Sequence, residues 1–300
     1  EDTLSLHDAL PISNNFSVFV DATGNTLSFN YEANVIATNA LAIQDVFQAY
    51  VLPVTTKNSA EAKFANSASF DNTQIARGSI VAVFGTQLAN ATVSAPSANL
   101  PFQLGGVTVT VNGLAGRLIF VSPGQINFLV PTGTQGSQCL VLVKSGAALK
   151  GVGSLIVVPV APVMFSADAT GRGTAAGVAL RVKADGAQSF EPLVRYDSAQ
   201  QRFVPVPLDL GPETEQVYLI LYGAGFRQRT ALPLVRLRTP GSTTDTATLP
   251  VLFAGEAPGF FGLDQLNVGP LPRRLAGDGV QDVIVSADSR TANLVQITFK

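Results

Sequence analysis

Two short motifs occur twice in this chain, and their spacing is kept. Ile80-Val-Ala-Val-Phe-Gly85 returns as Leu219-Ile-Leu-Tyr-Gly223, with the glycines 138 residues apart. Gly124-Gln-Ile-Asn127 returns as Asp264-Gln-Leu-Asn267, with the glutamines 140 residues apart. A chain that repeats an ordered pair of motifs at one interval builds the same unit twice. Each copy continues to a proline (Pro131, Pro272) and then to two apolar runs, 140–143 and 155–158 in the first, 282–285 and 295–299 in the second. Runs this short, divided by Gly and Pro turns over about 90 residues, are the pattern of a small sandwich.

Composition agrees. Charged residues are 13% of the chain, against roughly 25% in ordinary soluble domains. Amphipathic helices need a charged outer face, so few are expected, whereas 27 Gly and 18 Pro suit short strands and tight turns. The predicted fold class is all-β, with tandem immunoglobulin-like β-sandwiches. Residues 67–163 are assigned to the first sandwich, and 164–300 to a connecting hairpin region plus the second. Within the latter, 178–182 and 193–196 read as a hairpin around Asp185-Gly186, followed by 203–208.

Residues 14–66 read as the β-rich tail of a preceding domain plus a linker. Phe16-Ser-Val-Phe-Val20 and Thr26-Leu-Ser-Phe29 alternate around a turn at 22–25, and polar 55–63 is the linker. The stretch 35–52 fits a strand face, and a helix face almost as well. Its Ala37-Thr-Asn39 and Asp45-Val-Phe47 weakly resemble a β-propeller blade motif. Residues 1–13 contain Leu4-Ser-Leu-His-Asp-Ala-Leu-Pro-Ile12, which looks like a translated sequencing-adapter oligonucleotide, and are set aside. Without them, 18 acidic residues face 19 basic ones, a net charge of +1. Such a near-neutral chain has no global field to steer nucleic acid, and no nucleic-acid partner is expected.

Further motifs occur in order between about 66 and 300. They include Ile75-Ala-Arg-Gly-Ser-Ile80, Leu104-Gly-Gly-Val-Thr-Val-Thr-Val-Asn-Gly113, Ser122-Pro-Gly-Gln-Ile-Asn127, Thr170-Gly-Arg-Gly173, Asp209-Leu-Gly-Pro212, Phe253-Ala-Gly255 and Gly262-Leu-Asp-Gln-Leu-Asn-Val268. On these the chain resembles the Solibacter-type C-terminal domain family of secreted acidobacterial proteins. The resemblance implies an extracellular or cell-surface location and modules similar to the immunoglobulin-like IPT/TIG type. It implies no reaction. The family pattern has a Gly-Gly strand before Phe-Ala-Gly in the second copy, where this chain has Pro240-Gly-Ser-Thr-Thr-Asp245.

Chemistry-bearing residues are scarce. His7, the single histidine, falls in the discounted start, so a Ser or Cys nucleophile has no imidazole base. Cys139, the single cysteine, lies in an apolar run and reads as a buried hydrophobe. Zinc ligation lacks its residues. The aspartates at 168, 185, 197, 209, 245 and 278 sit beside turns, where Asp caps its own backbone. A carboxylate-pair hydrolase is the least favoured alternative, and calcium at Asp168 or around 278–282 stays open. Gly171-Arg-Gly-Thr-Ala-Ala176 superficially fits a dinucleotide fingerprint, but a β-branched, alternating run follows it, so it reads as a flexible turn. No cofactor or metal is expected, and the chain is predicted to be non-enzymatic. No transmembrane segment is expected: the longest apolar stretch, 155–165, is short and contains Pro159 and Pro162.

The signature polar residues are Gln125 and Asn127 with their counterparts Gln265 and Asn267. On a strand each pair shares one face, and the amides are expected to satisfy loop backbone at a sandwich corner, with contact to a ligand as the alternative. Arg227, Arg229, Arg236 and Arg238 are expected on a solvated face, with a basic face for a polyanion as the alternative. Tyr222, Phe226, Phe260 and Phe261 are the rings available for a sugar. The expected role is a structural or interaction module of an exported bacterial protein. Its partners would be upstream domains of the same polypeptide or a cell-envelope protein or glycan, and the alternative role is a carbohydrate-binding accessory module.

Overall fold

The computed structural model describes strands Ser17–Val20 and Leu27–Asn30 and residues 62–70, 74–96 and 99–300. The chain divides into two units, 1–59 and 60–300. In the first, Ser17–Val20 pairs antiparallel with Leu27–Asn30, as the alternation predicts. The adapter-like start, the ambiguous 35–52 stretch and most of the linker lie outside the described residues.

Residues 60–300 fold as two β-sandwiches in tandem. In the first, one sheet runs in the order Lys63–Asn66, Ile80–Phe84, Gln125–Leu129, Arg117–Val121, Val93–Ser94. The facing sheet runs Ile75–Ala76, Ala148–Val158, Gln138–Ser145, Val107–Val111, Gln103–Leu104. Alternation explains the layers: Val107, Val109 and Val111 are buried while Thr108 and Thr110 are half-buried. The interior holds Val81, Val83, Leu118, Ile126, Phe128, Val141 and Val143. Cys139 is buried here as a free thiol, and burial pushes its pKa up against the pull of nearby Arg77. Lys63–Asn66 pairs with Ile80–Phe84, so the sandwich begins earlier than the sequence reading, which assigned these residues to a preceding tail plus linker. Phe64 shows why: its buried ring lies against Gly153, leaving no room there for a Cβ.

The second sandwich repeats the path. One sheet runs Gln188–Pro192, Gly177–Val182, Gln216–Ala224, Asp264–Val268, Val251–Glu256; the other is built on Ala247–Leu249, Leu234–Arg238 and Val280–Ala287, with Val295–Thr298 pairing the last. Leu219, Leu221, Phe226, Leu237, Leu266 and Val285 fill its core. Leu234–Arg238 takes the place that Val107–Val111 holds in the first copy, and Pro240–Asp245 is only a turn beyond it. Gly177–Val182 is an integral strand of the second sandwich, not a connector, and it pairs with Gln188–Pro192. The expected partner, around 193–196, pairs instead with Arg202–Pro205 as a separate ribbon. Among the described residues the one helical turn is Arg273–Leu275, and no helix is long and apolar enough to cross a membrane.

Candidate functional site

The repeated Gln-x-Asn segments occupy equivalent central strands. Gln125 lies opposite Phe84 and Asn127 opposite Ala82; Gln265 lies opposite Tyr222 and Asn267 opposite Ile220. On the other flank, Asn127 faces Phe120 and Asn267 faces Phe253, and both flanking strands change register just before that aromatic. In each copy the Gln Nε2 donates to the Asn Oδ1 at 2.9 Å. The amides therefore bond to each other along the outer face of the sheet. They do not hold loop backbone at a corner, as the sequence reading expected: residues two apart on a strand stand side by side, so the amides meet there first.

Register defines the rest of that face in the second sandwich. One row crosses the five strands as Pro192, Val178, Ile220, Asn267, Phe253. The neighbouring rows carry Phe190, Leu180 and Tyr218, and Tyr222, Gln265 and Gly255. None of these residues is a carboxylate or a cation. Phe190 is 66% exposed and Phe253 40%. Tyr222 and Phe260, from the loop after Val251–Glu256, have ring centroids 6.4 Å apart. Phe260 and Phe261 are both exposed, but Phe226 is fully buried in the core and leaves the candidate set. A Phe just after a Gly-Ala-Gly turn carries no sequence mark that separates core from surface. Phe190, Tyr218 and Phe253 were missed, and their signal is only their register beside the amide strand.

The arginines expected on a solvated face are built into the scaffold. Arg227 Nε donates to the buried Asp264 carboxylate, Nη2 to Leu263 O (2.7 Å) and Nη1 to Glu256 (3.3 Å). Burial pushes the Asp264 carboxyl above its ordinary range, with Arg227 pulling the other way. Its second oxygen accepts the Phe226 N–H at 3.1 Å. Arg229 donates to Phe226 O and Ala254 O. Arg236 and Arg238 both bind Asp245, whose carboxyl Arg238 above all holds below its usual range. Sequence reading gave Asp245 a turn-capping role, but it is an ion-pair hub. Asp185, Asp197 and Asp209 do cap the backbone two residues on. Asp168 does the same at Thr170, and although burial raises its carboxyl, the hydrogen bonds from Thr170 and Ser166 outweigh that and lower it. Among the described residues no group of three or more His, Cys, Asp or Glu side chains could hold a metal.

The sandwiches meet through packed loops. Ala161 N donates to Gly225 O at 2.9 Å, and Ala68, Val163 and Ala224 form a small apolar cluster. Gly262 lies on the outer face of the first sandwich, where a Cβ would stand 2.5 Å from Leu129 and about as close to Ile80. Beside the junction opens a cleft of about 1080 Å³.

No family model and no curated protein matches the chain. Among solved structures it is similar to domains 5–6 of the S-layer protein SbsC, at 12% identity over 80% of this chain and 97% of that one, with a TM-score of 0.23. An auxiliary nutrient binding protein from Bacteroides ovatus ATCC 8483 is 11% identical over 81% of this chain and 71% of that one, TM-score 0.23. The extracellular region of plexin A4 is 9% identical over 93% of this chain and 21% of that one, TM-score 0.23. Likenesses this loose carry no functional argument. The assignment to tandem immunoglobulin-like sandwiches rests on the chain's own sheets and register.

Proposed function

We propose that residues 60–300 are a non-catalytic structural and interaction module of a secreted or cell-surface bacterial protein, as the likeness to the Solibacter-type C-terminal domains implies. One observation carries this reading. Four carboxylates of the second sandwich are tied to arginines of the scaffold, while a wide uncharged sheet face stays open. Asp264, Asp245, Glu191 and Glu215 each serve an arginine: Arg181 is buried between Glu191 (2.5 Å) and Glu215 (2.9 Å), and the hydrogen bond to Glu191 above all raises its pKa. A catalytic carboxylate needs a reacting partner within reach, and these are already saturated. Location is tested with Ser198→Cys, an exposed turn residue, expressed within its full reading frame; buried Cys139 adds little background. A membrane-impermeant maleimide should label intact cells. Labelling only after lysis refutes the exported module.

A second reading, a carbohydrate-binding accessory module, is favoured by the Tyr222–Phe260 ring pair beside the Gln265–Asn267 amides. Ring faces stack on sugars and amides meet hydroxyls in both directions. A glycan-array signal that Phe260→Ala abolishes supports it; no signal from the unaltered chain removes it.

A further inference from the structure

The chain has thirteen arginines. The side chains of ten find a partner, a carboxylate, an amide or a backbone carbonyl: Arg117, Arg181, Arg195, Arg202, Arg227, Arg229, Arg236, Arg238, Arg273 and Arg274. Among the described residues this leaves Arg77, Arg172 and Arg290 without one, and two of the three, Arg172 and Arg290, line the junction cleft. Its walls are firm. Asn293 Nδ2 donates to Met164 O (2.9 Å) and Gly171 O (2.8 Å), and its Oδ1 accepts the Met164 N–H at 2.9 Å. Ser166 Oγ accepts the N–H groups of Thr170 (3.0 Å) and Gly171 (2.9 Å), and Gln296 N donates to Gly173 O at 2.7 Å. The 171–176 segment, expected as a flexible turn, is thus braced from both sides. A Cβ at Gly171 would also stand 2.8 Å from Ala68 O of the first sandwich.

Two unpartnered guanidinium groups on a braced wall favour an anion, because a planar fork holds a carboxylate by two parallel hydrogen bonds. Asp282 also lines the cleft, accepting from Gln296 Nε2 at 2.9 Å. Its negative charge disfavours a densely charged ligand such as a polyphosphate, and with Gln296 it offers partners to hydroxyl groups. Phe70, 45% exposed, adds a ring at the rim. We infer that the cleft is a binding site for a carboxylated sugar, with Arg172 and Arg290 taking the carboxylate of a uronate unit in an acidic oligosaccharide. A cleft of this volume holds two or three sugar units. The site goes beyond the module role proposed above and is separate from the sheet face, since neither Tyr222 nor Phe260 lines it.

The test is titration calorimetry on the full 300-residue chain with trigalacturonate, neutral trigalactose and triglutamate. Trigalacturonate should bind, and more weakly as ionic strength rises. Arg172→Gln and Arg290→Gln should each weaken binding by roughly 10-fold or more, the usual loss for a charge-assisted hydrogen bond. Both variants should melt like the parent, because neither side chain has a protein partner. Phe260→Ala should leave the binding unchanged. Absence of trigalacturonate binding overturns the inference. So does equal binding of trigalactose or triglutamate, unaltered affinity in both arginine variants, or loss of binding in Phe260→Ala.

Discussion

Asp264 is the residue whose loss should be felt most widely in the second sandwich. Its carboxylate, fully buried, accepts from the Phe226 N–H and from Arg227. Arg227 in turn holds Leu263 O, next to the loop whose Gly262 touches the first sandwich. Asp264→Ala leaves the Phe226 N–H unsatisfied, about 1–3 kcal/mol. It also removes the main partner of Arg227, whose side chain is 25% exposed and keeps Glu256, so the loss falls at the low end of the roughly 3–5 kcal/mol for breaking a buried pair. Together these give about 4–6 kcal/mol. In a unit of this size each kcal/mol moves the melting temperature by about 2–4 °C, so a drop of about 10–20 °C is expected. Asp264→Asn keeps one acceptor for Phe226 and should lose about half as much. The sign of the pH effect follows from the raised carboxyl: its contribution is full below the unfolded pKa and lost as pH rises through the folded one. The parent should therefore gain on Asp264→Asn as pH falls toward the ordinary aspartate range. Thermal melts by circular dichroism across pH 4–7 read all three quantities. An alanine variant melting within about 2 °C of the parent refutes the reasoning, as does an asparagine variant as damaged as the alanine one.

Asn127→Ala and Asn267→Ala each remove one amide–amide bond on a half-buried face and should cost about 1 kcal/mol, read as a melting shift of a few degrees; a large loss in one copy alone contradicts their equivalence. Gly225→Ala forces φ +83° on a residue with a Cβ and drives that atom into the Ala161 carbonyl, so denaturant melts should show a loss of about 3 kcal/mol or more. Asp245 works in the opposite sense to Asp264. Its lowered carboxyl stabilises above the ordinary aspartate range and that contribution is lost as pH falls through the folded pKa. Asp245→Asn should accordingly flatten the acid side of the stability profile, and an unchanged profile excludes the ion-pair hub.

Much of the architecture was legible in residue order because it depends on local alternation and on repetition. The Ile80–Phe84 and Gln216–Ala224 strands, the Gln-x-Asn strands and the closing hairpins occur where the repeat puts them. Period-two burial needs only neighbouring residues to be visible. The use of each polar group was different. Arg227 meets Asp264 across 37 residues, Asn293 meets Gly171 across 122, and Gln188–Pro192 displaced 193–196 as the partner of Gly177–Val182. The sequence by itself determined two strand sandwiches, since apolar alternation and turn residues act at short range. Only the tertiary structure decided which charges neutralise one another, that Phe226 is core while Phe260 is surface, and that two arginines remain unpaired in a cleft. Those outcomes depend on distances between segments far apart in the chain, which no local pattern encodes.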